Sequence, residues 1–460
     1  MTPTLPFKDW PMRRLFLSNI IFVLLLTISY LGVIGRANDQ EPYSVGWAWS
    51  AKEVEEAGDA FWPQFRGPTG DGHAKQGANL PVNWSETENV RWRAEIPGRA
   101  WSSPVAWGNT VWVTTAAEDG LSMGAVAIDR KSGAIRWNKE VFANTETQKD
   151  MHVFNSYGSP TPVLDSQHLY VSFGAYGTAA LKRDSGEMVW QRRDLQCNHY
   201  RGPGSSPILF RNLLIFHMDG YDRQFVIALD KKTGETVWTV DRSVEYETDN
   251  GDIKKAFGTP QIIEVATPGS STKQIQMIST TSKAVLAYDP TNGKELWRVR
   301  YSEFSSATRP LFDGKHIFLN TGFSKGKLIA IGLGGSGDIT QTHVVWEAAK
   351  AIGSKPSPLL IGTNNICTVD DRGVLSAMDR DNGSLIWQER LGGDFSSSPI
   401  LASDRIYCFD EKGKGHVFSI DGKQIAVNSL EAGCLASPAV VGNDLIVRTR
   451  TAVYCIGTGK

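Results

Sequence analysis

Cysteine is scarce in this chain. The five present, Cys197, Cys367, Cys408, Cys434 and Cys455, are never adjacent and never in a C-x-x-C spacing. An odd, scattered set excludes a disulfide framework and the common zinc and dithiol motifs. Cys367 and Cys408 each lie nine residues after a proline that opens a repeat, inside strand-like apolar runs, and read as buried thiols at matching places. Net charge is missing too. With 48 Lys and Arg against 49 Asp and Glu the formal charge is −1, so no global basic field gathers a nucleic acid. Neither an H-E-x-x-H stretch nor a Ser-His-Asp order stands out. "RGPTGDGH", Arg66 to His73, is rich in glycine but lacks the Lys-Ser/Thr end of a phosphate loop, and reads as an extended segment packed on the fold. "DRDNGS", Asp379 to Ser384, lacks the later glutamate of a calcium loop and reads as a turn. No metal set is expected.

What is present is turn-forming and aromatic: 45 glycines, 21 prolines and 15 tryptophans. The first 37 residues are of another kind. Lys8, Arg13 and Arg14 precede an uncharged run, Leu15 to Gly35, followed by Arg36-Ala37. That is an export signal or a membrane anchor, with the basic end held in the cytoplasm and the rest of the chain exported. The chain is therefore expected to be periplasmic, or anchored to the inner membrane and facing the periplasm. Residues 38–60 are polar and acidic, a linker or short surface helix, and 61–88 form a lead-in expected to pack on the domain that follows.

From residue 89 the chain repeats. Small or polar residues precede Pro104, Pro160, Pro207, Pro260, Pro310, Pro358, Pro399 and Pro438, and each proline opens a hairpin such as "SPVAWGNTVWV" or "SPAVVGNDLIV". Proline suits the first residue of a strand because its missing N–H is not needed there. The second half of the unit, "AVAIDRKSGAIRW" and its echoes, predicts two further strands around an Asp and Gly turn, ending on tryptophan. Trp137, Trp190, Trp238, Trp297, Trp346 and Trp387 take that place, and a large ring at a fixed site can wedge between neighbouring sheets. In the seventh unit Ala426 replaces it. The eighth unit stops after three strands, while "NVRWRAEI", Asn89 to Ile96, resembles a unit ending without a unit, so Trp92 is expected to complete the last sheet. The fold class that follows is all-β: an eight-bladed β-propeller of four-stranded antiparallel blades over 89–460, closed by an N-terminal strand. A closed ring leaves only short strand edges, and a monomer is expected.

The pattern A-x-D-x-x-[TS]-G-x-x-x-W, seen in Ala127–Trp137 and Ala228–Trp238, resembles the PQQ-like repeat of quinoprotein-type β-propellers. That family includes dehydrogenases using pyrroloquinoline quinone (PQQ) and non-catalytic scaffolds of the BamB type. "WPQFRGPTGDG", Trp62 to Gly72, resembles the lead-in of exported PQQ-repeat proteins of planctomycete-type bacteria. The dehydrogenase branch implies neighbouring cysteines in a disulfide, a bound calcium and an aspartate base; no Cys-Cys pair exists here. The resemblance therefore implies a non-catalytic module binding a protein or polysaccharide, with a quinoprotein oxidoreductase using PQQ and calcium as the alternative.

Departures from the template locate the expected binding face. In a propeller the links between blades share one face with the loops inside the middle of each sheet. "MHVFNSYGSP" offers His152, Asn155 and Tyr157; "CNHYRGPGSSP" offers His199, Tyr200 and Arg201; "HMDGYDRQF" offers His217, Asp219, Tyr221 and Arg223. Trp101, Arg309 and Lys355 precede other inner strands. Loop-borne aromatic, histidine and arginine side chains suit binding. None of these residues is assigned a catalytic role.

Overall fold

The structure, a computed structural model, describes Met1 and residues 45–148, 151–266, 272–323, 325–348 and 352–458. The chain divides into two compact units, Met1–Pro42 and Tyr43–Lys460. The expected export signal or anchor lies outside the described residues. Among the described residues no helix is long and apolar enough to cross a membrane.

Eight antiparallel sheets follow one another. Blade 1 consists of Val105–Trp107, Thr110–Ala116, Ser122–Asp129 and Ile135–Ala143, counted from the axis outwards. Blades 2 to 7 occupy 163–192, 208–241, 261–300, 311–348, 359–390 and 400–429. First strands of blades 8 and 1, 1 and 2, and 6 and 7 lie against one another, as strands converging on an axis must. Blade 8 takes Ala439–Val441, Asp444–Arg448 and Ala452–Ile456 from the C-terminal end and Val90–Glu95 from the front. In that last pairing Trp92 stands opposite Cys455 and Ala94 opposite Val453, so the ring is closed.

The residue before each inner-strand proline has a mechanical role. Backbone N–H groups donate from blade to blade around the axis: Ser103 to Thr161 Oγ1, Thr161 to Ser206 Oγ and Ser206 to Thr259 Oγ1. The belt resumes from Arg309 to Ser357 Oγ, Ser357 to Ser398 Oγ, Ser398 to Ser437 Oγ and Ser437 back to Ser103 Oγ. Distances run from 2.8 to 3.2 Å. The link from Thr259 is absent because the next position is Arg309, which has no hydroxyl. The belt also corrects a register: blade 2 opens on Pro162, after Thr161, and not on Pro160, because only Thr161 occupies the belt position.

A second belt lies further out. Indole Nε1 groups of Trp92, Trp137, Trp190, Trp238, Trp346 and Trp387 donate to Arg130, Arg183, Lys231, Pro290, Arg380 and Ile420 carbonyls in the turn of the next blade. Each ring rests on that turn's glycine; a Cβ on Gly234 would lie 2.6 Å from Trp190. These glycines therefore serve both a positive φ and a close approach, while Asp129 and Asp230 accept the turn amides. Trp297 departs from the expected pattern. Blade 5 replaces the turn with a glycine-rich insertion, whose Gly337–Asp338 adds a parallel strand to blade 4, and Trp297 Nε1 donates to Gln276 Oε1 of its own blade. Ala426 also has a reason: blade 8, next in the ring, has no such turn, because its fourth strand comes from elsewhere in the chain. Trp84 of the lead-in stacks on Tyr407 and Phe409 of blade 7, at 6.4 and 5.8 Å.

Before the ring, Ser50 and Glu53 form a reciprocal capping box on the helix Ala51–Ala57. Trp49 is buried, with Nε1 donating to Leu164 O, so this stretch is attached to the propeller.

Candidate functional site

The lead-in fills the axis. Phe61–Trp62 pairs with Val105–Trp107 on its inner side, as a fifth strand of blade 1. Pro63 O then accepts from Leu164 N in blade 2, and Thr69 O from Gln261 Nε2 in blade 4. Arg309 of blade 5 donates to Phe65 O (2.6 Å) and Gln64 Oε1 (3.2 Å). Arg66, 1% exposed, donates to Pro358 O of blade 6 and Pro399 O of blade 7. Gly72 O and Ala74 N bond Leu401. Fourteen residues (61–74) can reach the inner strands of six blades only by lying across the axis. Arg309, expected on an open face, instead lies 2% exposed against this plug.

The mouth on the side of the inter-blade links is crossed by residues 151–157. Arg99 Nη2 donates to Val153 O, and Asn155 Nδ2 to Arg201 O and Pro203 O. Trp101 N donates to Ser156 Oγ. Phe154 reaches the far side of the ring, where the Lys355 ammonium sits 4.6 Å from its centroid while also pairing with Glu411 at 2.8 Å. His152 packs on Phe154, and burial together with nearby Arg201 and Lys355 lowers its pKa. Tyr157 is buried against Tyr176. Trp101 is 9% exposed, with Arg99 and Arg450 at 5.5 and 5.3 Å from its ring.

A second group of candidates lies beneath the surface. Asp219, 3% exposed, holds Arg242 through two bonds of 2.9 Å. Arg242 also donates to Ser279 Oγ; Ser279 donates to His217 Nε2 (2.8 Å), and His217 Nδ1 donates to Gly258 O (2.9 Å). Burial drives the His217 pKa far down and keeps the ring neutral. His199 accepts from Ala175 N at Nε2, and burial lowers its pKa to about 3. His199, His217 and Asp219 are thus corrected from rim to interior: the links of blades 2 and 3 fold over them, and their polar atoms bond internally. Tyr200 and Tyr221 make an edge contact at 5.0 Å, Arg201 pairs with Asp252, and the exposed Arg223 pairs with Asp241. The axis therefore has two clusters beside it, one at blades 8, 1 and 2 and one at blades 2 to 4.

Sequence reasoning missed Val153, Phe154, Arg99, Arg448, Arg450 and Arg66. Exposed apolar neighbours in "HVFN" were the available signal for the first two. The carbonyls of Pro358 and Pro399 that hold Arg66 are more than 290 residues away, beyond any local pattern.

The fold and its filled axis define a class, the eight-bladed propellers of PQQ-like repeats. A family model described as outer membrane protein assembly factor BamB matches residues 73–194, 222–359 and 336–453, and the chain belongs to this family. Outer membrane protein assembly factor BamB of Yersinia pestis is 21% identical over 371 residues, spanning 77% of this chain and 87% of that protein. Quinohemoprotein alcohol dehydrogenase from Comamonas testosteroni has a similar fold, with TM-score 0.61 and 12% identity over 89% of this chain and 82% of that one. A europium-containing methanol dehydrogenase gives TM-score 0.62 and 11% identity over 88% and 92%. At such identities the likeness to the dehydrogenases is one of fold alone.

Proposed function

We propose that this chain is an exported, non-catalytic scaffold whose mouth face receives a protein partner in the periplasm. One observation carries the reading. The axis holds the chain's own residues 61–74, and residues 151–157 cross the mouth with Val153 and Phe154 exposed at 69% and 51%. Exposed apolar side chains on a polar rim suit a protein surface better than a small molecule, which needs a cleft. The relatives named for outer-membrane protein assembly make a component of such machinery the first partner to test. A polysaccharide, the other partner expected, has no supporting observation.

The quinoprotein alternative makes demands that these residues do not meet. All five cysteines are buried and free, and among the described residues no three His, Cys, Asp or Glu side chains converge as a metal site. The residues do not fit the quinone with its calcium and disulfide, and no reaction step follows from them. A photo-crosslinker at position 154 of the exported protein should give a discrete protein adduct, whereas one at Asp421, in a turn on the opposite face, should not. Equal labelling from both positions, or stoichiometric PQQ binding with dye reduction, would overturn the proposal.

A further inference from the structure

We infer that the mouth above blades 8 and 1 binds a carboxylate carried by an acidic, apolar-flanked peptide segment of a protein partner, with Arg448, Arg450 and Trp101 as donors. The inference deepens the reading of the mouth as a protein-binding surface and rests on it.

Arg448 ends the second strand of blade 8 and is 3% exposed. Its Nη1 donates to Ser102 O (3.2 Å) and Ser102 Oγ (2.7 Å). Among the described residues Nε and Nη2 make no hydrogen bond and no carboxylate pairs with the group, and neither nitrogen is fully enclosed, so both still face the mouth. Arg242 supplies the internal comparison: equally buried, it has Asp219 across two bonds. Buried charges in folded proteins are paired, because an unpaired one forfeits its hydration without compensation. Burial alone acts on Arg448, lowering its pKa to about 9.

Two neighbours share the deficit. Arg450, exposed, forms no ion pair among the described residues and lies over Trp101, whose buried Nε1 has no acceptor there. Glu411 is within electrostatic reach of Arg450, but Lys355 and Ser396 already bond it. Arg99, on the other side of Trp101, is engaged by Glu118 and Val153 O. Donors lacking acceptors are thus gathered at residues 101, 448 and 450. A guanidinium fork matches a carboxylate in two parallel bonds. Val153, tied to the same spot through Arg99, and Phe154 next to it in the chain add exposed apolar surface along the mouth that a free small anion would leave uncovered. A peptide combining acidic and apolar side chains satisfies both.

The test uses the full chain and a fluorescein-labelled decapeptide alternating Asp with Leu and Phe, followed by anisotropy. Saturable binding is expected, weakened at least tenfold by changing each Asp of the peptide to Asn and at least tenfold by Arg450→Gln. Arg448→Met should weaken it similarly without lowering the unfolding midpoint of the free protein; if that variant fails to fold, the exposed Arg450→Gln still decides. Binding of the Asn peptide within twofold of the Asp peptide, or an unchanged Arg450→Gln, overturns the inference. So does succinate competing at the concentration of the peptide, which would mark a small-anion site. Should a Lys-bearing peptide bind instead and be lost in Phe154→Ser, the carboxylate site falls while the protein-binding mouth stands.

Discussion

His199 and His217 are buried as neutral rings, and that has a consequence for acid stability. Their folded pKa values lie below the ordinary value of 6.5, His199 at about 3, so below pH 6.5 the unfolded chain takes up protons that the folded chain refuses. Stability is therefore full above pH 6.5 and falls as the pH drops below it, for His199 down to about pH 3. Urea midpoints measured from pH 7.5 to 4.5 should show this slope, and His199→Gln should make it shallower. Beside them, Asp219→Asn strands the Arg242 guanidinium in the interior and should cost about 3–5 kcal/mol in denaturant unfolding. That these positions departed from the repeat was legible from the sequence. Their burial was not, because it depends on how the links of blades 2 and 3 fold over them.

The blade was the most legible level. Strand–turn–strand units and Asp-anchored turns were visible in the repeat because they rest on short-range interactions, and the tryptophan was visible because it recurs at a fixed place, although its acceptor lies in the next blade. What joins one blade to the next was less visible. The Ser or Thr before every inner-strand proline but Pro310 stands out as a pattern, yet its partner lies in another blade, and so the displaced start of blade 2 does not show in the sequence. Trp297 likewise keeps its place in the sequence while losing its usual acceptor. The pairing of ring and glycine predicts a graded outcome. Gly108, with φ +60 and nothing within 4 Å of an added methyl, should lose about 1 kcal/mol as Gly108→Ala, the cost of left-handed backbone alone. Gly234→Ala adds a collision with Trp190 and should lose clearly more in thermal unfolding.

At the level of the whole molecule, closure was legible from a leftover unit ending, because the missing strand and the surplus strand had the same pattern. The plug was not: "WPQFRGPTGDG" carries no periodicity, and its partners are carbonyls and side chains spread over six blades. Arg309→Met should release Gln64 and Phe65 and lower the unfolding midpoint, while leaving the eight-sheet circular dichroism unchanged. Removing residues up to 88 should destabilise a ring that still closes; removing residues up to 96 should abolish cooperative unfolding. Closure by Val90–Glu95 against Ala452–Ile456 also orders events in time. The first of these strands leaves the ribosome some 360 residues before its neighbour exists, so no nascent intermediate can own a finished circle. Closure must await synthesis of Ala452–Ile456, and until then the eighth blade's edge remains exposed to any chaperone or stray strand that reaches it.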